Sequence, residues 1–340
     1  MNNKIVTFGE LLLRFSKDHR YRLVQGRELS GNYGGSEANV AVSLATLGED
    51  VEYVTRVPDT PVGRAACMKL REFNVGTSHV MYGGQRLGSY YYEESAGMRS
   101  SKVIYDRANS AFYDLKPQMF DWNTILKDAS VFHASGITGA ISKGSADATF
   151  EALDTADKMG LTISFDINYR KNLWKYGAEP KETLSRMLEY ADVVFADVIE
   201  YEYITGRQVP FTATDSNYKM PVEKYRQWFD EIHERFPRCK KWLMGMRNMI
   251  SSSHNTLTAV LWSEGKLYFT RIYDILDIVD TMGVGDAFLA GMLHSINTFP
   301  RDDQRCLDYS LAAAALKNSI SGDFNLSTDD EILNLMNSDN

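Results

Sequence analysis

One stretch near the end of the chain, DTMGVGD at residues 280–286, gives the first indication of the fold and of a site. It runs directly into the apolar helical pattern of residues 287–296. Glycines at the mouth of a helix let backbone N–H groups converge on one point, and the helix dipole adds positive potential there. Asp286 falls in the first turn of this predicted helix, beside the amides of Gly283, Val284 and Gly285. The pattern predicts an anion site next to a carboxylate. The alternative is a structural glycine loop with an acidic helix cap.

A second stretch, GGSEANVA at residues 34–41, also opens a predicted helix, which ends at Gly48. Gly34 and Gly35 permit close approach of a ligand, and Asn39 offers a donor and an acceptor to hydroxyl groups. A carboxylate beside converging amides suits phosphoryl transfer, because the amides hold the migrating charge while the carboxylate deprotonates the attacking hydroxyl. Together the two stretches resemble the two signatures of the ribokinase-like (phosphofructokinase-B type) sugar kinases, and the resemblance extends along nearly the whole chain.

Short apolar strands alternate with helices along the sequence. Strands are predicted at residues 4–8, 50–57, 129–133, 161–165 and 192–196, and helices from residue 61 and at 143–159, 180–190, 221–235, 286–298 and 303–320. This alternation predicts an α/β fold with a doubly wound, mainly parallel sheet flanked by helices, as in ribokinase-like proteins. Because no repeat or Pro/Gly linker marks a break, residues 1–340 are predicted to form a single domain.

Two segments interrupt this alternation, the polar, Arg-rich residues 11–33 and residues 86–113. Within the second segment, exposed strands are predicted between residues 86 and 106, at 86–92 and 101–106. In a ribokinase-like fold the two segments would form a small β-lid over the sugar; the alternative is an edge hairpin that extends the sheet. Tyr90 and Tyr105 supply aromatic faces with polar tips, which suit a polyhydroxylated ligand. A lid would exclude water from the reaction. A homo-oligomer formed through the lid is also expected.

The lid segment KVIYDRANSA at residues 102–111 is similar to that of one branch of the family, the 2-keto-3-deoxygluconate kinases. Tyr105 and Arg107 are two residues apart on a strand, so they share a face. One would pack on the carbon chain of the sugar while the other binds a carboxylate or keto group. The stretch DINYR at residues 166–170 resembles the DxNxR element of this branch and of fructokinases. It implies a nucleotide contact for Asn168 and a sugar contact for Arg170. For each arginine the alternative is a surface salt bridge.

The resemblance implies further contacts on the nucleotide side. Asp197 and Glu200 fall where the family has an Asn-x-x-Glu element that positions Mg²⁺ through water, and hard oxygen ligands suit that ion. The alternative is an acidic helix N-terminus. The stretches GMRN at 245–248 and SGDFN at 321–325 also resemble the branch, and they imply nucleotide contacts for Gly245 and Arg247. The small-residue helix LAAAALKN at 311–318 would flank the adenine near Asn318, although ordinary helix packing explains its alanines equally well.

Four positions depart from the family pattern. Asp197 replaces the usual asparagine, Val284 stands where alanine or glycine is usual, and Pro58 replaces a glycine. Thr281 matches the wider family better than the 2-keto-3-deoxygluconate branch, which often has arginine there. None of these departures removes a catalytic group, so they weaken the substrate assignment more than the kinase assignment.

Composition narrows the classes of function. The net charge of −8 argues against general binding to nucleic acid or to a membrane surface. The three cysteines are scattered without CxxC spacing, and no apolar run approaches a membrane span, so a reduced cytoplasmic setting is expected. A dinucleotide-dependent oxidoreductase is disfavoured because Phe288 stands where the third glycine of GxGxxG is needed, and no P-loop lysine is present.

The sequence therefore predicts an ATP- and Mg²⁺-dependent kinase that phosphorylates the 6-hydroxyl of 2-keto-3-deoxygluconate, with Asp286 as the base. Its expected partners are the sugar acid and ATP. A fructokinase-like or other ketose kinase is the second candidate, and a sugar-binding regulator on the same fold is the alternative without catalysis.

Overall fold

The computed structural model describes residues 4–26, 28–209 and 222–338. The strands are β1 (Lys4–Phe8), β2 (Leu12–Ser16), β3 (Ser30–Gly34), β4 (Val51–Val54), β5 (Arg56–Val57), β6 (Met81–Tyr82), β7 (Gly88–Glu93), β8 (Lys102–Asp106), β9 (Ala129–Ser135), β10 (Thr162–Asp166), β11 (Val193–Asp197), β12 (Lys241–Ser251), β13 (His254–Ser263), β14 (Lys266–Phe269) and β15 (Tyr273–Ile275). The α-helices are α1 (Ser36–Thr46), α2 (Pro61–Glu72), α3 (Trp122–Ile125), α4 (Gly136–Ile141), α5 (Lys143–Lys158), α6 (Pro180–Leu188), α7 (Val198–Thr205), α8 (Val222–Arg235), α9 (Val284–Thr298), α10 (Asp303–Lys317) and α11 (Asp329–Asn337).

The central sheet is mainly parallel, as predicted. Within the described residues its strand order is β14-β13-β12-β11-β10-β9-β1-β4, and β15 pairs with β13. The strands from β12 to β4 in this order run parallel to one another. Val6 and Phe8 of β1 enter one apolar core, whereas Ile5 enters the core on the other face. Helices therefore cover both faces of the sheet, which explains why its strands are continuous apolar runs.

Most predicted elements are present, with differences at one strand and at one edge. Predicted helices 143–159, 180–190, 286–298 and 303–320 correspond to α5, α6, α9 and α10 to within three residues. The helix predicted at 221–235 is α8, and residue 221 lies outside the described residues. The single strand predicted at 50–57 is wrong, because β4 pairs with β1 while β5 turns away to pair with β6. The antiparallel edge formed by β12 to β15 was not predicted.

A second sheet has the strand order β3-β2-β7-β8 and is built from the two segments that interrupt the alternation. We call it the lid sheet. The prediction that residues 86–106 form exposed strands is wrong for β7, because this strand lies between β2 and β8 and its Tyr90 and Tyr92 are each 5% exposed. It is correct for the edge strand β8, where Ile104 is 52% exposed. The segment 11–33 is polar in sequence, yet β2 buries Leu12 and Arg14.

Within the described parts of the chain, none of the helices combines the length and the apolar character that crossing a bilayer requires.

Candidate active site

A cavity of about 620 Å³ lies where the lid sheet faces the carboxyl ends of strands β10 and β11. Ligands of open α/β sheets bind at this edge, and the volume is in the usual range for small-molecule sites. Most of the side chains and glycines that the sequence singled out line it: Gly35, Asn39, Tyr90, Tyr105, Arg107, Asn168, Arg170, Asp197, Glu200, Gly245, Arg247, Gly283, Val284, Gly285 and Asp286. Ser36 and Asp286, one from each signature stretch, are 250 residues apart in the chain, yet they meet at this cavity.

The N-termini of α1 and α9 converge on the carboxylate of Asp286. Its Oδ2 accepts a hydrogen bond of 2.7 Å from Asn39 Nδ2, and its Oδ1 accepts one of 2.8 Å from Ser36 Oγ. Asn39 is itself held, because its Oδ1 accepts from the amide of Gly35 at 3.3 Å. Two residues of α1 therefore orient one carboxylate of α9.

Burial raises the pKa of Asp286 to about 6, although the hydrogen bonds from Asn39 and Ser36 lower it. A carboxylate with this pKa is largely ionised at neutral pH, yet it is a stronger base than an ordinary aspartate. Two neighbouring acids in the cavity are shifted in the same direction. Burial raises the pKa of Glu200 to about 7, and it raises that of Asp166 well above its usual range.

The loop before α9 has the backbone geometry of an anion site. Gly283 has φ of 78° and forms the N-cap of α9. A Cβ on Gly283 would lie 2.0 Å from the carbonyl oxygen of Asp323, so only glycine fits without a shift. The first amides of a helix have no partner within that helix, so those of residues 283–285 are available to a ligand at the cavity wall. The backbone of the glycine-rich stretch therefore leaves amides open to the cavity beside the carboxylate of Asp286, and anion binding there stays a prediction.

Both arginines predicted to bind the sugar are paired with buried glutamates. Arg107 is 5% exposed, and its Nε donates to Glu10 Oε2 at 2.5 Å. Its Nη1 is buried and has no hydrogen-bond partner within the described residues. Arg170 is 43% exposed, and its Nη1 donates to Glu200 Oε1 at 2.9 Å. The alternative to a role in binding was a surface salt bridge. The ion pair of Arg107 is buried and does not fit that description, whereas Arg170 is partly exposed and does form an ion pair.

Asp197 and Glu200 form the N-terminal cap of α7. Asp197 Oδ1 accepts from the amide of Glu200 at 2.8 Å, and Glu200 Oε2 accepts from the amide of Asp197 at 3.1 Å. The structural alternative, an acidic helix N-terminus, is thus present, while both residues also line the cavity. Asn168 lies beside them at the end of β10, and its Oδ1 is buried without a partner among the described residues.

Two predicted residues do not line the cavity. Gly34 is the last residue of β3, and a Cβ there would lie 2.6 Å from the carboxylate of Asp323, so this glycine serves close packing. Asn318 is 2% exposed at the end of α10. The side-chain amide of Asn318 donates to the backbone carbonyl of Ala314 at 2.9 Å. The backbone carbonyl of Asn318 accepts from the backbone amide of Val279 at 2.8 Å. Ala314, one turn earlier, lines the cavity in its place.

A buried ionic cluster that the sequence did not predict connects the lid sheet to the loop before α9. Arg14 of β2 donates to Asp280 Oδ2 at 2.8 Å and lies 3.2 Å from Asp323 Oδ2. Asp280 also accepts from the amide of Met282 at 3.0 Å. Asp323 accepts from the hydroxyl of Tyr90 at 2.5 Å. One cluster thereby fixes both a lid tyrosine and the glycine-rich loop.

The other residues that sequence reasoning missed had only partial signals. Ser36 lies within the quoted stretch 34–41, but its hydroxyl was not assigned a role. Asp166 was quoted within DINYR, and its Oδ1 holds the amide of Asn168 at 3.1 Å. Glu10 follows a strand that was predicted correctly, and a carboxylate at that edge of a parallel sheet was a usable signal. The burial of Arg14 had no signal, because its partners come from the other end of the chain.

Comparison with known proteins agrees with this arrangement. The sequence profile of the pfkB family carbohydrate kinases matches residues 2–328. A 2-dehydro-3-deoxygalactonokinase from Haloferax volcanii is 29% identical over 334 residues, which is 98% of this chain and 96% of that protein. The crystal structure of a 2-dehydro-3-deoxygluconokinase from Thermotoga maritima has a TM-score of 0.91 and 35% identity, covering 99% of this chain and 100% of that one.

A more distant structure, a putative Ribokinase II from E. coli in complex with ATP and Mg²⁺, shares the fold with a TM-score of 0.76 at 21% identity, covering 98% of this chain and 99% of that one. The family profile spans nearly the whole chain, and the two signature stretches meet at one cavity. The fold is therefore ribokinase-like, and the chain belongs to the pfkB family of carbohydrate kinases.

Proposed function

We propose that this carbohydrate kinase transfers the γ-phosphoryl group of MgATP to the 6-hydroxyl of 2-keto-3-deoxygluconate, which is also called 2-dehydro-3-deoxygluconate. The observation that carries the proposal is the position of Asp286, which is held by Ser36 and Asn39 at the mouth of α9 and faces the same cavity as the lid arginine Arg107. The proposed base and anion site therefore line the same cavity as Arg107, which would bind the acid group of the sugar.

In the proposed reaction the oxygen of the 6-hydroxyl attacks the γ-phosphorus. The carboxylate of Asp286 accepts the proton of this hydroxyl. A bond forms between this oxygen and phosphorus, while the bond from phosphorus to the bridging oxygen breaks and its electron pair leaves with ADP. The amides of Gly283, Val284 and Gly285 donate to the phosphoryl oxygens and stabilise the charge that develops there. The lid sheet excludes water, so that hydrolysis of ATP does not compete.

The nucleotide side of the cavity fits a magnesium ion that is carried mainly by phosphates. Within the described residues no group of three or more His, Cys, Asp or Glu side chains could hold a metal ion. Mg²⁺ keeps several waters and needs few protein oxygens when phosphates are present, so Asp197, Glu200 and the unpartnered Oδ1 of Asn168 suffice as water-mediated contacts. When bound, the ion neutralises charge on the phosphate oxygens. We assign Gly245 and Arg247 to the phosphates from their place on the same wall.

An acidic ketose is favoured by the sugar side. Arg107 leaves one buried donor without a partner at the cavity wall, and Arg170 lines the same wall. A ligand carboxylate or keto oxygen would satisfy such a donor, whereas an unfilled buried donor is costly. Tyr90 and Tyr105, whose ring centroids are 6.3 Å apart, would pack on the carbon chain. These contacts support a sugar acid over fructose, which remains the substrate of the second candidate class.

A close alternative is 2-keto-3-deoxygalactonate, which the name of the Haloferax volcanii relative favours. The two sugar acids share the carboxylate, the keto group and the terminal hydroxyl, and they differ in configuration at one carbon. The contacts of Arg107 and Asp286 serve both. The relative from Thermotoga maritima, with 35% identity, favours the gluconate form.

The deciding experiment measures ADP release with saturating MgATP and each of the two sugar acids, fructose and ribose, and locates the new phosphate by NMR. We expect kcat/KM for 2-keto-3-deoxygluconate to exceed that for fructose by at least about 10²-fold, because the buried Nη1 of Arg107 makes a stronger, charge-assisted bond to a carboxylate than to a neutral oxygen. Phosphate should appear on the 6-hydroxyl. Comparable efficiency with fructose would move the enzyme to the ketose kinases, and absence of turnover with every sugar would favour a sugar-binding regulator.

The outer face of the lid sheet supports a homo-oligomer. Phe15, Tyr91 and Ile104 are neighbours in register across β2, β7 and β8, on the face opposite to Arg14, Tyr90 and Tyr105. This makes an apolar patch that a second copy would cover. Light scattering should show a dimer, and Ile104→Lys should produce monomers. A monomer in the unaltered protein would contradict this assignment.

A cytoplasmic location remains our proposal, supported by three free, buried cysteines.

A further inference from the structure

We infer that Glu10 is a positioning residue for the sugar, because it sets the direction of the Arg107 guanidinium. This inference rests on the proposed function, in which Arg107 contacts the acid group. Glu10 follows β1 in the main sheet, whereas Arg107 follows β8 in the lid sheet. Their side chains are 2% and 5% exposed, and Glu10 Oε2 accepts from Arg107 Nε at 2.5 Å. The pair is therefore a buried connection between the two sheets.

The carboxylate of Glu10 is fixed by its surroundings on the other side as well. Its Oε1 accepts from Ser110 Oγ at 2.5 Å. A Cβ on Gly88, the first residue of β7, would lie 2.3 Å from the same oxygen. Glycine at the start of this lid strand therefore leaves room for the carboxylate. Each oxygen of Glu10 accepts a hydrogen bond, and together these bonds hold the carboxylate towards Arg107.

A fixed Nε determines where the rest of the guanidinium points. The group is planar, with five donors in a rigid fork, so anchoring one donor directs the others. Arg107 also lies against the ring of Tyr105, at 5.7 Å from the centroid, which restricts rotation of the plane. Its Nη1 is buried at the cavity wall without a partner in the described residues. Glu10 balances the positive charge of Arg107. Arg107 would therefore select an acceptor oxygen mainly by the fixed direction of its Nη1 donor.

Glu10 also contacts the catalytic side. Its carbonyl oxygen lies 2.2 Å from the position of a Cβ on Gly35, the N-cap of α1. The next residue, Ser36, and Asn39 hold Asp286. Glu10 therefore lies between the helix that orients the base and the arginine that would bind the acid end of the sugar. This arrangement fixes the distance between the two ends of the substrate site.

A double-mutant cycle tests the inference. Glu10→Ala, Arg107→Ala and the double variant are compared by KM for the sugar acid, KM for MgATP and kcat. We expect Glu10→Ala to raise KM for the sugar acid by about tenfold, while kcat and KM for MgATP change by less than about twofold. In the Arg107→Ala background, the same change should alter KM by less than about twofold, because Glu10 acts through Arg107.

Four further results decide the outcome. An unchanged KM in Glu10→Ala, or an effect that multiplies with that of Arg107→Ala, would overturn the inference. Asp106→Ala is the matched control, because it breaks the ion pair between Arg86 and the last residue of β8 while the pair of Glu10 with Arg107 stays in place, so it should leave KM unchanged. If Glu10→Ala does not fold, Glu10→Asp replaces it in the cycle, because the shorter side chain withdraws the carboxylate by one carbon. The same KM values are then compared. An unchanged KM for the sugar acid in Arg107→Ala would reject the proposed sugar contact of Arg107. A raised KM in Arg107→Ala together with an unchanged KM in Glu10→Ala would reject only the positioning role of Glu10.

Discussion

The carboxylate of Asp286 accepts a hydrogen bond of 2.7 Å from the side-chain amide of Asn39, which comes from the opposite end of the chain. This bond joins the first turns of α9 and α1, the two helices that the signature stretches predict. It orients the carboxylate without neutralising it, because an amide donates but carries no charge. The following predictions test what this arrangement does.

The pH profile should report the ionisation of Asp286. Burial raises the pKa of Asp286 to about 6, and only the ionised form can accept a proton. We therefore expect kcat/KM to be constant above this pH and to fall as the pH decreases through it. Ser36→Ala removes a hydrogen bond that lowers this pKa, so the acid limb should move to higher pH. Ser43→Ala removes a hydroxyl elsewhere on α1 and should not move it.

The shift is the deciding observation, because Glu200, with a pKa raised to about 7, titrates in the same cavity. An acid limb that does not move in Ser36→Ala would assign the profile to another group.

Gly283 and Gly265 form a matched pair for the anion site. Their φ angles are 78° and 79°, but a Cβ on Gly283 meets the carbonyl of Asp323 at 2.0 Å, whereas nothing lies within 4 Å of one on Gly265. Gly265→Ala should cost roughly 1–2 kcal/mol of stability and leave kcat unchanged. Gly283→Ala should lower kcat by at least about 10²-fold, because the amides are displaced. Equal kcat values in the two variants would contradict the anion site.

Arg170 should contribute to binding of the sugar acid. Losing one charge-assisted contact costs about 1.5–3 kcal/mol, so Arg170→Ala should raise KM for the acid by roughly 10- to 100-fold. Arg64→Ala is the control, because the ion pair of Arg64 with Asp59 is more than half exposed on both sides and distant from the cavity wall. If both variants kept the original KM, the proposed sugar contact of Arg170 would be wrong, and its ion pair with Glu200 would be structural.

The buried cluster around Arg14 should be important for stability. Arg14→Leu leaves Asp280 and Asp323 buried without their cation, and breaking a buried pair in this way costs about 3–5 kcal/mol. Arg64→Leu breaks an ion pair with Asp59 that is more than half exposed on both sides, and it should cost less than about 1 kcal/mol. Urea unfolding at equilibrium measures both. Similar losses in the two variants would show that the cluster does not stabilise the fold.

The sequence was informative where the signal is local. Glycines before an apolar helical pattern predicted the starts of α1 and α9, and continuous apolar runs predicted the parallel strands. The antiparallel edge was missed, because β13 is buried along nearly its whole length and shows no strict alternation of polar and apolar residues, while the second half of β12 is exposed. The run 50–57 showed a similar limit, because β5 leaves the sheet without any change in composition.

Buried charges were the main gap in the site prediction. Arg14 pairs with Asp280 across 266 residues, and Glu10 pairs with Arg107 across 97 residues. Charged residues are mostly exposed, so composition gives no sign that Arg14 and Glu10 are buried until their partners are known. Gly34 and Asn318 show the converse, because their stretches were identified correctly while the residues themselves pack behind the cavity wall. Local pattern predicted which segments meet, and only the packing showed which side chains line the cavity.

The most direct test of the account is the turnover of Asp286→Asn with MgATP and 2-keto-3-deoxygluconate. Asparagine keeps the shape of the side chain and one acceptor for α1, but it cannot accept the proton of the attacking hydroxyl. General-base catalysis contributes about 10²–10⁴-fold, so kcat should fall by at least about 10²-fold in a variant that folds normally by circular dichroism. A folded Asp286→Asn enzyme with near-normal kcat would contradict the central claim that this carboxylate is the base.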